Sequence, residues 1–412
     1  MKDSFSPLRQ PNFRWYFLAT SINLMGGTMA SVALAFAVLD ISDSPSALGQ
    51  VLAANSIPLV VFLLLGGVIA DRIDRARLIQ AGMLLAGLSQ AAVATLVITD
   101  AAEIWHLIVL GAVNGVVFAA SFPAQQALVP ELVEPEDLQS ANVLRSMVRG
   151  ALTVMGPTLA ALLVVTVGAG WALAFDAGTW LAASAVMALV RVPPRPARSV
   201  GQTSTWTELR EGWTVVVGHT WLWVVVLAFG FLNAIHTGAW FTLGPAQAEH
   251  TIGASGWGIA LSAEAIGLLL CTLVTLRVRL ERPLLTGMLG MSLLAAPIIA
   301  LGSGAPLPVI ALCALVAGAG TEMFSLGWNL AMQEHVPREV LSRAYSYDAL
   351  GSFVAMPVGQ LLFGPLGEHF GVGRVIVIGG VAYLAIVLLT LSSSSVRGLS
   401  RRTTSTPVLV SP

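Results

Sequence analysis

Four carboxylates stand inside or just within long apolar runs of this 412-residue chain: Asp176 in WALAFDAGTW, Glu264 in ALSAEAIGLL, Glu322 in AGAGTEMFSL and Asp348 in YSYDALGSFV. An ionised carboxylate in hydrocarbon costs on the order of 3 kcal/mol even on the lenient insertion scale, so it must face a wet cavity or a partner. A carboxyl that is protonated in one conformation and ionised in another couples proton flow to conformational change. Glu322 and Glu264 are the deepest and lead as candidates for that coupling, followed by Asp176. His236, close after Asn233, joins them because imidazole titrates near neutrality. Asp348 falls in the first turn of its run, where stabilising the helix dipole is reason enough for an acid. Asn23, Asn55, Asn114, Asn233 and Asn329 are candidate cavity-lining amides. For each of these groups the alternative role is hydrogen bonding between helices.

Other chemistries are excluded by residue type. The single lysine is Lys2, so no phosphate-cradling GxxxxGK[ST] loop and no lysine Schiff base exists. Cys271 and Cys313, 42 residues apart in apolar runs, form neither a secreted disulfide framework nor a metal knuckle and read as small core residues. No cofactor loop, metal cluster or nucleophile triad is expected, and an enzyme is not. The formal charge of −1 lacks the basic surplus that nucleic acid demands.

The elements that must position these residues follow from composition. At 56% hydrophobic and 10% charged, the chain has far more apolar side chains than a soluble core uses. Apolar runs near 14–39, 47–70, 78–98, 104–127, 140–167, 171–190, 220–243, 256–276, 284–301, 307–332, 345–366 and 374–391 are each long enough to cross a bilayer, and together predict twelve helices with short connections. The first run follows prolines and charges with no cleavage pattern behind it, so it is expected to stay as a helix. Alternate connections hold the arginines, including Arg72, Arg75, Arg77, Arg191, Arg277, Arg338 and Arg397, while those across from them hold one, Arg374. The positive-inside rule then predicts both termini in the cytoplasm. Trp15, Trp105, Trp171, Trp221 and Trp223 at the span ends read as interface anchors.

The longest polar connection separates the sixth and seventh runs and contains Thr205-x-x-Glu208, a capping box that predicts a short amphipathic helix. The chain therefore divides into a six-helix half over 1–190, a linker over 191–219, a second six-helix half over 220–391 and a disordered tail over 392–412. VEPEDLQSAN from Val133 matches VPREVLSRAY from Val336 at an offset of 203, which also puts Gly156 on Gly359. GQVLAANSI from Gly49 meets GIALSAEAI from Gly258 at an offset of 209. Both matches pair span n with span n+6, as duplicated parallel halves require.

GGVIADRIDRAR between the second and third runs resembles the loop signature of the major facilitator superfamily, with Gly67, Asp71, Arg72 and Arg75 on the motif positions and Asp74 where glycine is usual. SFPAQQALVPELVEPEDLQSAN and WNLAMQEHVPREVLSRAYSYDALGSFVAMPVGQLLFGPL resemble its enterobactin-exporter-like and macrolide-efflux-like branch. The resemblance implies an all-α fold of twelve transmembrane helices in two pseudo-symmetric halves, and a gate in which Asp71 meets the start of the eleventh span near Ser342 to Ser346. Gly156-Pro157 resembles the GP core of the antiporter motif, although Leu152 stands where that motif has glycine. The arginine that some drug/proton antiporters carry in the fourth span is replaced by Gly111.

The expectation is a monomeric, multi-pass cell-membrane transporter that exports a small, moderately hydrophobic molecule in exchange for protons or another coupling ion. A facilitator or importer on the same fold is the alternative, and a non-transporting receptor or membrane enzyme a third.

Overall fold

The computed structural model describes residues 5–72, 74–134, 137–191, 213–214, 216–275, 281–336 and 338–400. Twelve helical columns result: α1 Pro11–Ser42, α2 Pro45–Arg72, α3 Arg75–Ile98, α4 Ile104–Leu132, α5 Leu138–Val167, α6 Ala169–Met187, α7 Thr220–Thr251, α8 Gly253–Thr275, α9 Pro283–Gly302, α10 Leu307–His335, α11 Arg338–Phe370 and α12 Val372–Ser392. Eleven are long and apolar enough to span a bilayer, and α6 adds a nineteen-residue column that carries Asp176. The outer faces are apolar to match, with Leu162, Leu273, Leu362 and Leu389 all more than half exposed, a surface that only lipid makes favourable.

Local chemistry sets the ends. Pro11 and Pro283 open α1 and α9, where the missing N–H is not needed. Asp74 caps α3, its Oδ1 accepting from the Arg77 N–H at 2.8 Å. The turns at the end away from the termini share one backbone device. Among the described residues six have positive φ, one in each of these turns: Asp43, Asp100, Gly168, Gly253, Gly304 and Gly371. Gly168 and Gly371, with φ of 95° and 92°, stand 203 residues apart, the offset of the internal sequence match, and occupy the equivalent α5–α6 and α11–α12 turns, where a side chain would strain the backbone.

Packing repeats in the same way. α1 packs on α5 and α6 as α7 packs on α11 and α12; α2 packs on α4 as α8 packs on α10; α3 packs on α4 and α6 as α9 packs on α10 and α12. Between the halves α2 meets α11, and α5 meets α8. The offset-matched glycines make these contacts. A β-carbon on Gly156 would strike Thr28 of α1, and one on Gly359 would strike Ala234 and Thr237 of α7. A β-carbon on Gly49 would overlap the Gln360 carbonyl of α11, and one on Gly258 the Pro157 carbonyl of α5. Small residues at such crossings let backbones approach and gain dispersion contact in a solvent that offers no hydrophobic drive.

The apolar cores show how the halves sit. Near the chain termini each half keeps its own: Phe13, Tyr16, Met83 and Leu128 in the first, Leu222, Met288, Trp328 and Val387 in the second. At the far end one core is shared, with Phe36 and Leu39 of α1 and Ala160 of α5 against Trp240 and Leu243 of α7 and Trp257 of α8. The two halves are therefore fused at the far end and hold separate cores at the terminal end.

Four expectations change. α7 does not stop near residue 243 but continues to Thr251 through a π-helical turn at His236–Thr242, because Ala246 and Ala248 are buried against the shared core and packing overrides the polar composition of PAQAEHT. The wide turn is held by Thr242 Oγ1 donating to the Thr237 carbonyl at 3.0 Å. α9 breaks between Ser292 and Ala295, since Pro297 has no N–H for the Leu293 carbonyl. Trp221 is no interface anchor: it is 5% exposed and packs edge-on against Trp328. α11 begins at Arg338, so Asp348 lies three turns inside it rather than in its first turn. The predicted linker helix at Thr205–Glu208 lies outside the described residues.

Candidate functional site

Each half encloses a cavity. The first, of about 350 Å³, lies among α1, α2, α3, α4 and α6, with Gln360 of α11 reaching its wall. Asp176 is 1% exposed there, with Gln90 and Trp180 beside its carboxylate. Gly26 makes the room, because a β-carbon at that position would meet Asp176 and Thr179. Asn55 and Asn114 line the same cavity, and the Asn55 amide donates weakly to the Gly111 carbonyl at 3.4 Å. Asn114 Oδ1, Asp176 Oδ1 and Gln360 Oε1 are buried without a hydrogen-bond partner. Buried polar atoms are seldom left so, which marks this wall as a place for water or a ligand.

The second cavity, of about 320 Å³, lies among α7 to α12 and brings together His236, Asn233, Glu264 and Asp348. Asp348 Oδ2 accepts from Trp328 Nε1 at 3.0 Å. Glu264 stands beside the Trp240 indole and the Tyr383 phenol, and the Trp240 nitrogen is buried without another partner. His236 opens the π turn and faces the Phe241 ring edge at 5.1 Å. No Lys or Arg is among the described residues lining either cavity.

Glu322 is elsewhere. It is half-buried on the seam between α10 and α8, beside Thr272 and Cys271, and lines neither cavity. Asn23 is also outside both walls, with a buried Nδ2 that has no partner, and Asn329 is exposed and donates to the Ser325 carbonyl at 2.8 Å. Cys271 is buried and Cys313 partly so.

Of the loop motif, Gly67, Asp71 and Arg72 fall at the end of α2 where side chains lie outside the description, as do those of Ser342, Arg343, Tyr345 and Ser346. Arg75 is placed: its Nη1 meets Glu131 Oε1 of α4 at 2.5 Å, with both side chains 17% exposed. That pair ties α3 to α4 within one half. Arg145 stacks over the Tyr16 ring at 5.8 Å. Gly156 and Pro157 put α5 between the halves, and on the next residue Thr158 Oγ1 meets Ser262 Oγ of α8 at 2.7 Å. At the far end Glu368 of α11 accepts from Ser44 and Ser46 at the start of α2.

Residue typing in the sequence missed Gln90, Gln360 and the aromatic lining of the second cavity. The signal was present: a glutamine inside an apolar run carries the same desolvation cost as the asparagines that were noticed.

Comparison with known proteins places this architecture. The family model described as transmembrane secretion effector matches residues 2–406. The chain belongs to that family, within the major facilitator superfamily. This transporter is 26% identical over 361 residues to the multidrug efflux pump Tap of Mycolicibacterium fortuitum, covering 84% of this chain and 87% of that protein. It is 26% identical over 187 residues to the enterobactin exporter EntS of Shigella boydii, covering 45% of each. Its fold superposes on the nucleoside transporter NupG with a TM-score of 0.73 at 12% identity, over 92% of this chain and 98% of that one. It superposes on a D-xylose–proton symporter with a TM-score of 0.70 at 14% identity, over 93% of this chain and all of that one. The transporter is thus a multi-pass membrane protein for a small molecule, and not an enzyme.

Proposed function

We propose that the protein exports a moderately hydrophobic small molecule across the cell membrane by proton antiport, its two halves rocking about the α2–α11 and α5–α8 contacts. The observation that carries the reading is the arrangement of the cores: one apolar core fuses the halves at the far end while the terminal end keeps two. Halves whose cores are separate at the terminal end can tilt apart there without disrupting either of those cores, whereas opening the far end must part the shared one. The arginine asymmetry assigns the terminal end to the cytoplasm, so the described arrangement corresponds to the state closed to the outside. The secretion-effector family and relatives named as an efflux pump and an exporter support the outward direction.

Glu264 is the first candidate for proton coupling, because it lines a cavity at mid-helix. Asp176 lines the cavity of the other half, and His236 adds a third titratable group. Glu322, held on a helix seam, follows them. The gate motif of Gly67, Asp71, Arg72 and Arg75 closes the cytoplasmic end in the other state, and Gly156-Pro157 with Asn23, Asn55, Asn114, Asn233 and Asn329 serve packing and the wet surface.

Inside-out vesicles energised with a proton gradient test the reading: substrate accumulates and an uncoupler abolishes accumulation. Accumulation only in right-side-out vesicles would make the protein an importer on the same fold.

A further inference from the structure

The second cavity has a chemical character that the transport reading does not require. Its described walls bear two carboxylates, Glu264 on α8 and Asp348 on α11, against one imidazole, His236, and no ammonium or guanidinium. The arginines of the first half described above are engaged away from it, Arg75 with Glu131 and Arg145 over Tyr16. The same cavity carries an aromatic ladder. Phe229 of α7 stacks on Phe324 of α10 with centroids 4.3 Å apart at 21°, and Phe324 stacks in turn on Trp328 at 6.0 Å and 17°. The two features are joined directly, since the Trp328 indole N–H is the donor to Asp348.

We infer that the cavity between α7 and α12 takes a lipophilic organic monocation, its charge set between Glu264 and Asp348 and its apolar body laid along Phe229, Phe324 and Trp328. Aromatic faces carry negative quadrupole potential and attract a cation that has left water, while the rings cover its apolar surface. In a cavity of low dielectric two unbalanced carboxylates repel an anion as strongly as they attract a cation, so sign is selected before shape. An organic anion is disfavoured in this half. The Trp328 indole N–H takes one oxygen of Asp348, while Glu264, beside the Trp240 indole, is the acid that pairs with either the cargo or a proton. This inference rests on reading the protein as a carrier, and it names the class of cargo.

A pair of ions of one shape and opposite charge tests it. Full-length protein in nanodiscs of neutral lipid is equilibrated with tetraphenylphosphonium or with tetraphenylborate, and empty nanodiscs supply the partition baseline. Saturable binding of the phosphonium, with the borate at least about tenfold weaker, is expected. Glu264→Gln and Asp348→Asn each weaken the phosphonium about tenfold, whereas Asp176→Asn in the other cavity leaves it within about twofold. Asp348→Asn keeps an acceptor for Trp328, so it remains testable should Glu264→Gln fail to fold. Equal or tighter binding of the borate overturns the inference. So does loss of phosphonium binding on Asp176→Asn alone, which would move the site to the first cavity. Binding without any vesicle transport would instead overturn the carrier reading and leave the cation site in place.

Discussion

Glu368 at the end of α11 accepts a hydrogen bond from the Ser44 hydroxyl at 2.5 Å and another from the Ser46 N–H at 3.1 Å, so a carboxylate of one half caps the first turn of a helix in the other. Ser44 itself caps that helix through the Ala47 N–H. A negative charge at a helix N-terminus is favourable, and here it also spans the line along which the halves must part. Glu368→Ala should ease opening of the far end. In this exposed setting the loss is about 1 kcal/mol, or roughly fivefold in equilibrium. A cysteine at Ser46 should then react with an impermeant maleimide on intact cells about fivefold faster in the Glu368→Ala background.

Gly49 and Gly258 allow the closed far end at all, because each would place a β-carbon on the carbonyl of a residue in the opposite half. Gly258→Val should therefore leave the halves folded but unable to close outside. The expected outcome is normal expression and near-total loss of transport. Normal transport by this variant would show that α5 and α8 do not approach in the cycle as they do here.

Asp348 and Trp328 make a second informative pair. Asp348→Leu leaves the Trp328 N–H without its acceptor in a largely apolar wall and should cost about 1–3 kcal/mol, whereas Asp348→Asn should cost much less. Thermal unfolding followed by tryptophan fluorescence separates the two variants, and equal midpoints would remove the bond from the stability argument.

Glu264→Gln mimics a permanently protonated carboxyl. Uphill export should vanish while downhill exchange of substrate persists. Glu322→Gln, on the α8–α10 seam, should retain uphill export. The opposite order of effects in vesicles would transfer coupling to Glu322 and make Glu264 a structural partner of Trp240.

The topology has its own check. A cysteine at Ser395, beyond α12, should be shielded from an impermeant thiol reagent on intact cells, and one at Ser255, in the first turn of α8, should be open to it. Labelling at Ser395 would invert the orientation.

The sequence made the columns and the repeat legible, because an apolar run of span length and a glycine in register each leave a one-dimensional trace. Gly156 with Gly359 and Gly49 with Gly258 could be paired from offsets alone, and their contacts turn out to be equivalent. Facing was much less legible. In a chain whose lipid side and core side are both apolar, periodicity does not say which way Glu322 or Glu264 points, and the two glutamates differ only in three dimensions. The extension of α7 past residue 243 was hidden for a related reason. Buried alanines at 246 and 248 outweigh a polar neighbourhood, and the π turn that aims His236 inward has no local signature. Asp348 lies deeper than its apolar run suggests, because its helix begins before that run.

The glycine–carbonyl crossings between the halves bear on how such a protein can diversify. Where a β-carbon is barred by a backbone across the seam, no side chain can interlock at that crossing, and the two backbones pass each other there on a smooth contact. On the proposed reading the cavity walls carry the chemistry of the cargo, on side chains away from those crossings. Variation should therefore accumulate in the walls while the seams stay fixed, and a saturation mutagenesis map would record this as two sharply different tolerances along α5, α8 and α11. Selection acting on such a chain can alter its passenger without redesigning its hinge.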